Sequence, residues 1–265
     1  MKQKSTNDLG IRPVSEIVRP RSWAIYGRSG SGKTTFAATF PKPILLLDIR
    51  DQGTESVNDE DKLDVKDIDS LDDLEDTYYY LKEQPKKYRT IVLDTVTQLQ
   101  QIFMEEVTAN KRKNGRALGD WGSITRREFG DIAALCKDWI NNYRNLTALG
   151  MEIVFIAQER VSTSEEENPD NMLTPEVGPH VFPSVAVQLN ANVSIIGNTF
   201  IRVKNYKVIR DGRKIEKKTT QYCLRIGPNP VYTTKIRKPR KIEAPNFIEN
   251  ATYKDVIDIA ENSHE

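Results

Sequence analysis

Eight residues near the start of the chain constrain it more than any other feature: Gly27-Arg28-Ser29-Gly30-Ser31-Gly32-Lys33-Thr34. The glycines let the backbone turn so that consecutive N–H groups point at one centre, forming a nest for an anion. The apolar run Ser22-Trp23-Ala24-Ile25-Tyr26 leads into the nest as a strand. Lys33 to Phe40 leads out as a helix, closed by Pro41 and Pro43. Strand, glycine-rich loop and helix in that order make a phosphate-binding loop. Its amides and the positive end of the helix hold phosphates, Lys33 reaches the β- and γ-phosphates, and the Thr34 hydroxyl ligates magnesium. Residues 27–35, Thr35 included, are the expected nucleotide-binding set, with ATP and Mg2+ as the expected ligands.

Such a loop needs a sheet behind it, and the chain supplies one. Ile44-Leu45-Leu46-Leu47-Asp48, Thr90-Ile91-Val92-Leu93-Asp94 and residues 152–157 are continuous apolar runs, as central parallel strands require. Amphipathic helices are expected near residues 71–82, 95–109 and 123–145. Residues 159–180 show no periodicity and read as a long loop. After Val181 the pattern changes to strands at 191–196, 199–209, 218–226 and 231–236, with Asp211-Gly212 as a hairpin turn. The expected fold is therefore α/β: a P-loop core with a mostly parallel sheet, extended by C-terminal antiparallel hairpins. It divides into an arm (1–20), a core (21–198), a hairpin extension (199–245) and a tail with a short helix around 253–260 (246–265). No run of eighteen apolar residues exists and the first twenty residues are polar, so the expected compartment is the cytoplasm. Cys136 and Cys223 sit in apolar-patterned segments and read as buried thiols.

Further site residues follow from the strand ends. Asp94 closes a strand about sixty residues after the loop, where an acid assisting magnesium belongs. Thr95 follows it, not the Glu that AAA+ and transporter-type ATPases place there. RecA-type ATPases carry their catalytic Glu after the neighbouring strand, which here ends at Asp48, so Asp51 or Glu55 is the expected orienter of the attacking water. Gln158, just past the strand at 153–157, is the expected γ-phosphate sensor.

Charge is segregated although the net is only +1. Residues 48–76 hold 13 acids and 3 bases; residues 202–241 hold 14 bases and 2 acids. This pattern fits two solvated faces, a polyanion-binding surface, or a bipolar protomer stacking head to tail.

With these residues in hand, the chain resembles a family of phage nucleotide-binding proteins with a minimal RecA-like core, often described as phage AAA-domain ATPases. The resemblance rests on Ala24-Ile25-Tyr26-Gly27, Ile91-Val92-Leu93-Asp94-Thr95, Gly119-Asp120-Trp121-Gly122, Val154-Phe155-Ile156-Ala157-Gln158-Glu159 and Thr233-Thr234-Lys235-Ile236-Arg237-Lys238, across residues 22–240. Some members act as ATP-dependent single-strand annealing or recombination proteins, so the resemblance implies an oligomeric ATPase working on single-stranded DNA in a phage-infected or lysogenic bacterium. The implied DNA loop holds Lys111, Arg112, Lys113 and Arg116 for phosphates and Trp121 for base stacking. The implied second loop, 159–180, is acidic: either it faces a protein partner, or DNA binding rests on the first loop and residues 202–241. Many relatives have an Asp-Thr-Glu-Gly-like sequence where this chain has Asp48-Ile49-Arg50-Asp51-Gln52-Gly53; hydrolysis is then slow, or Asp51 substitutes for the Glu. Lys235 and Arg237 alternate along a strand and are the expected cations offered to a neighbouring protomer's nucleotide. The other function class is a regulatory or assembly ATPase whose basic edge binds a protein or its own neighbour. A nucleotide kinase ranks last, because the 159–180 segment is acidic where a lid needs arginines.

Overall fold

The computed structural model describes residues 20–113, 125–164, 174–210 and 213–261. Alternation of buried apolar residues builds its centre. Five strands lie parallel: β1 (Ser22–Gly27), β2 (Ile44–Asp48), β3 (Leu63–Asp67), β4 (Thr90–Asp94) and the first half of β5 (Glu152–Ser164). β1, β2 and β4 are buried along their whole length, which explains their unbroken apolar sequences.

Successive residues serve opposite faces of the sheet. Ala24, Tyr26, Leu45, Leu47, Ile91, Leu93, Ile153 and Phe155 enter one core, shared with residues of α2 (Leu71–Glu83), α3 (Val96–Lys113), α4 (Arg126–Asn145) and α5 (Pro183–Asn192). Trp23, Ile25, Ile44, Leu46, Val92, Val154 and Ile156 enter the other, with α1 (Lys33–Ala37) and α6 (Tyr253–Glu261). Each fully buried aliphatic or aromatic side chain contributes about 1.5–3 kcal/mol. α2 and α4 start on reciprocal capping boxes, Ser70 with Asp73 and Thr125 with Glu128.

The remaining strands are β6 (Thr174–Pro179), β7 (Ile195–Arg210), β8 (Arg213–Arg225), β9 (Lys235–Ile236) and β10 (Phe247–Glu249). The sheet order is β10-β8-β7-β1-β5-β4-β2-β3, with β6 on β5 and β9 on β7. β7 is parallel to β1 through residues 195–199, then runs on beyond it, paired antiparallel with β8 as a long two-stranded ribbon. The α/β class, the mostly parallel sheet and the antiparallel extension are as the sequence implies.

Several elements differ from expectation. Residues 159–180 are not a loop: 159–164 and 174–179 pair antiparallel as the outer part of β5 and β6. Their polar, β-branched composition hides a strand, and the partner is needed to show it. β3 lies inside the acidic stretch, where Asp64 and Lys66 alternate with Leu63 and Val65 on a largely exposed edge strand. Residues 191–192 close helix α5, which starts on Pro183 at its first turn, so β7 begins only at Ile195. Of 231–236, only Lys235–Ile236 is strand, and β10 was not anticipated. α1 spans five residues and continues to Phe40 in turns rather than as regular helix.

Candidate functional site

Parallel pairing brings the C-terminal ends of the strands to one edge. Asp48 stands opposite Asp94, and Gly27 opposite both Gln158 and Thr199. A parallel sheet binds ligands beyond this edge.

The loop after β1 turns through Gly30 (φ 73°) and Gly32 (φ 88°), conformations that a side chain would strain. Gly27 is needed for a different reason. A Cβ there would stand 2.4 Å from Thr199 Oγ1 and 2.7 Å from Ser31 Oγ, so the loop packs directly on β7. Ser31 Oγ lies 2.6 Å from Thr199 Oγ1 and donates to the Arg28 carbonyl (2.7 Å).

Lys33 is buried and donates to the carbonyls of Gly27 (3.2 Å) and Arg28 (3.0 Å). Burial lowers its pKa; the charges of Asp94, Asp51 and Glu159 oppose that shift. The Thr34 hydroxyl donates to Asp94 Oδ2 (2.7 Å). Asp94 Oδ1 is buried with no hydrogen-bond partner among the described residues. Burial pushes the Asp94 carboxyl up to about 6, against the Thr34 hydrogen bond and with help from the Asp51 charge.

The loop after β2 is shaped by Asp48. Its Oδ1 accepts the amides of Asp51 (2.9 Å) and Gln52 (3.0 Å), which holds Arg50 and Gln52 at φ 54° and 52°. This carries the Asp51 carboxylate toward Lys33: burial raises its pKa, the Lys33 charge lowers it and Asp48 raises it further. Glu55 sits exposed one turn on, in the short 3-10 helix Gly53–Val57. Gln158 is half-buried. Its amide donates to Thr97 Oγ1 (3.0 Å) and its carbonyl accepts from the amide of His180 (2.7 Å), so the strand end is fixed to α3 and to the end of β6.

Loop, strand ends and helix register thus gather Lys33, Thr34, Asp94 and Asp51 around one point, with Gln158 beside Gly27. Residues 19–238 match the model of the AAA domain. The chain belongs to that family. No curated protein matches the sequence. Among solved structures, a KaiC-like protein from the hyperthermophilic archaeon Pyrococcus horikoshii OT3 matches at 11% identity and a TM-score of 0.42, over 87% of this chain and 85% of that one. The match to the AAA family makes this a nucleotide-binding ATPase domain of the AAA type, built on a mostly parallel sheet.

Other expected residues of this AAA domain lie elsewhere. Lys111, Arg112 and Lys113 fall on the last turn of α3, and Arg116 and Trp121 lie outside the described residues. Lys235 Nζ donates to the carbonyls of Asn190 (2.8 Å) and Ala191 (3.0 Å), and Arg237 to Ala191 (3.3 Å). Both cations therefore cap the C-terminal end of α5, where carbonyls lack helical partners.

Sequence reasoning missed a polar chain beside the loop. Arg28 pairs with Glu159 (2.9 Å), Glu159 accepts from Asn198 (3.3 Å), and Asn198 accepts from Arg225 (2.5 Å). Arg225 is stacked between Phe200 and Tyr232, at 4.3 and 3.8 Å from the ring centroids. The signal available was Glu159 itself, an acid directly after the strand end at Gln158. Among the described residues no helix is long and apolar enough to cross a membrane.

Proposed function

We propose that the domain binds Mg-ATP on residues 27–35 and hydrolyses it, and that the turnover drives action on single-stranded DNA. The observation that carries the nucleotide half is the buried Asp94 carboxylate. One oxygen is held by Thr34 and the other lacks a partner among the described residues, beside a lysine whose charge is partly desolvated. A buried, unsatisfied carboxylate oxygen is costly unless a ligand completes it. Among the described residues no cluster of three or more His, Cys, Asp or Glu could hold a metal alone. A carboxylate and a hydroxyl suit magnesium, which takes most of its ligands from phosphates and water. Thr34 and Asp94 would hold it, and bound there it would offset charge on the β- and γ-phosphates. Lys33 binds the same phosphates as a point charge. In this reading Asp51 orients the water, with Glu55 the other candidate, and Gln158 at its strand end senses the γ-phosphate.

Support for a polyanion partner comes from the ribbon. Arg202, Lys204 and Tyr206 alternate along one face of β7, and Lys217 stands opposite Tyr206 on β8. Cations interleaved with an aromatic ring suit a single strand. Homo-oligomerisation, head to tail through the acidic and basic segments, belongs to the same proposal. The second reading, a regulatory or assembly ATPase, gains from the exposed apolar residues Ile201 and Val203 on the ribbon's other face.

ATPase rate measured with and without single-stranded DNA at two salt concentrations separates them. Stimulation that fades with salt supports DNA action; an unchanged rate at both salts favours the second reading.

A further inference from the structure

A nucleotide held by its phosphates must send its nucleoside somewhere, and the loop opens on two cavities. The first, about 360 Å³, is bordered by Arg28, Glu159 and Asn198 and is rich in charge. The second, about 450 Å³, begins at Gly32 and Thr35 and continues between Phe36 of α1 and Tyr222 of β8, closed by residues 250–252. Its size falls in the range of about 300–1,000 Å³ typical of small-molecule sites, and its walls are mostly apolar with a few polar groups at the rim.

The two cavities meet at Ser31 and Thr199 and differ in the rest of their lining. Asp94 and Asp51 crowd the Lys33 side, which suits the terminal phosphate and water. Thr35 and Gly32 border the second cavity, so a chain of phosphates lying along the loop delivers its other end there.

Tyr222 forms the outer wall. Its Cδ1 lies 3.0 Å from where a Cβ on Gly32 would stand, so only glycine lets the ring approach the loop so closely. The side chain is 49% exposed, leaving aromatic surface that the core does not use. Its backbone is nonetheless anchored. The Tyr222 carbonyl accepts from the Asn250 amide (2.6 Å), and its amide donates to Asn250 Oδ1 (3.3 Å), with Asn250 in a left-handed turn (φ 47°). A half-exposed ring on an anchored backbone, beside an apolar cleft, is a surface on which a planar heterocycle stacks.

We propose that this cavity is the nucleobase subsite, with the Tyr222 ring stacking on the base of the nucleotide whose phosphates residues 27–35 hold. This rests on the nucleotide reading above.

Calorimetric titration with ATP and with inorganic triphosphate, both with magnesium, tests it on the full chain. Wild type should bind ATP at least about tenfold more tightly than triphosphate. Tyr222→Ala should weaken ATP about 5- to 100-fold, the cost of one lost stack, and leave triphosphate unchanged. Tyr222→Phe should retain ATP affinity. Ala251→Trp, which fills the cavity without altering the loop, should reproduce the selective loss. Equal affinity of wild type for ATP and triphosphate overturns the subsite and leaves phosphate binding standing. So does a Tyr222→Ala protein that binds ATP as wild type does, or that loses both ligands equally. Wild type that binds neither ligand overturns both readings.

Discussion

Two carboxylates lie buried in the same sheet, one near each end. Asp94 closes β4 at the phosphate-loop edge; Glu152 opens β5 at the opposite edge. Burial raises the pKa of both. Their partners differ. Glu152 accepts from Trp23 Nε1 (2.7 Å) on one oxygen and from the Tyr253 hydroxyl (3.3 Å) on the other, tying α6 to β1. Asp94 has one oxygen bonded and one without a partner among the described residues. The satisfied acid ties helix to sheet, whereas the unsatisfied one is the one the proposed function assigns to magnesium. Burial and a raised pKa alone do not tell structure from function; the count of partners does.

The sharpest break of that comparison is Asp94→Asn. It should cut magnesium-dependent ATP turnover by roughly 10²-fold or more. The nucleotide-free protein should melt higher, because a charge whose burial costs on the order of 3 kcal/mol at pH 7 is gone. Loss of turnover with an unchanged or lower melting temperature would remove the distinction.

Next in size, Asp51→Asn should slow turnover about 10- to 100-fold with little change in ATP affinity, while Glu55→Gln leaves both near wild type. The reverse ranking would move the water-orienting role to Glu55, on the 3-10 helix.

Glu152→Ala should leave ATP affinity intact but cost about 2–4 kcal/mol in urea unfolding, since Trp23 Nε1 and the Tyr253 hydroxyl both lose their acceptor. Impaired nucleotide binding by a folded Glu152→Ala protein would contradict the structural role.

The smallest effect is a pH dependence. The folded pKa of Glu152 lies above its ordinary value of 4.5, so the fold retains a proton that the unfolded chain has lost. Its contribution is full below 4.5 and declines as pH rises through the raised value. Glu152→Gln should therefore gain stability over wild type as pH rises through that raised value, and show no gain below 4.5. A constant difference across that window would place the pKa elsewhere.

What the sequence made legible was whatever depends on neighbours along the chain. Unbroken apolar runs marked β1, β2 and β4, and the glycine spacing marked the loop. β3, β6 and α5 depend on partners far away: β3 alternates charges on an edge, β6 is recognisable only beside β5, and α5 does not segregate polar from apolar residues. The site divides the same way. Lys33 and Thr34 are local, and Asp94 closes a local pattern. Glu159, Asn198, Arg225 and Tyr222 reach the loop from strands 130 or more positions later, so nothing near residues 27–34 announces them.

β7 also gives the molecule a lever. Its fulcrum is Thr199, wedged against Gly27 and Ser31 of the phosphate loop. Its long arm is the ribbon running to Arg210. At about 3.4 Å per residue the arm spans roughly 37 Å. A pivot of about 5° at the fulcrum sweeps the far end through about 3 Å, the width of one hydrogen bond. Displacements too small to notice beside the phosphates therefore become, at the tip, large enough to make or release a contact.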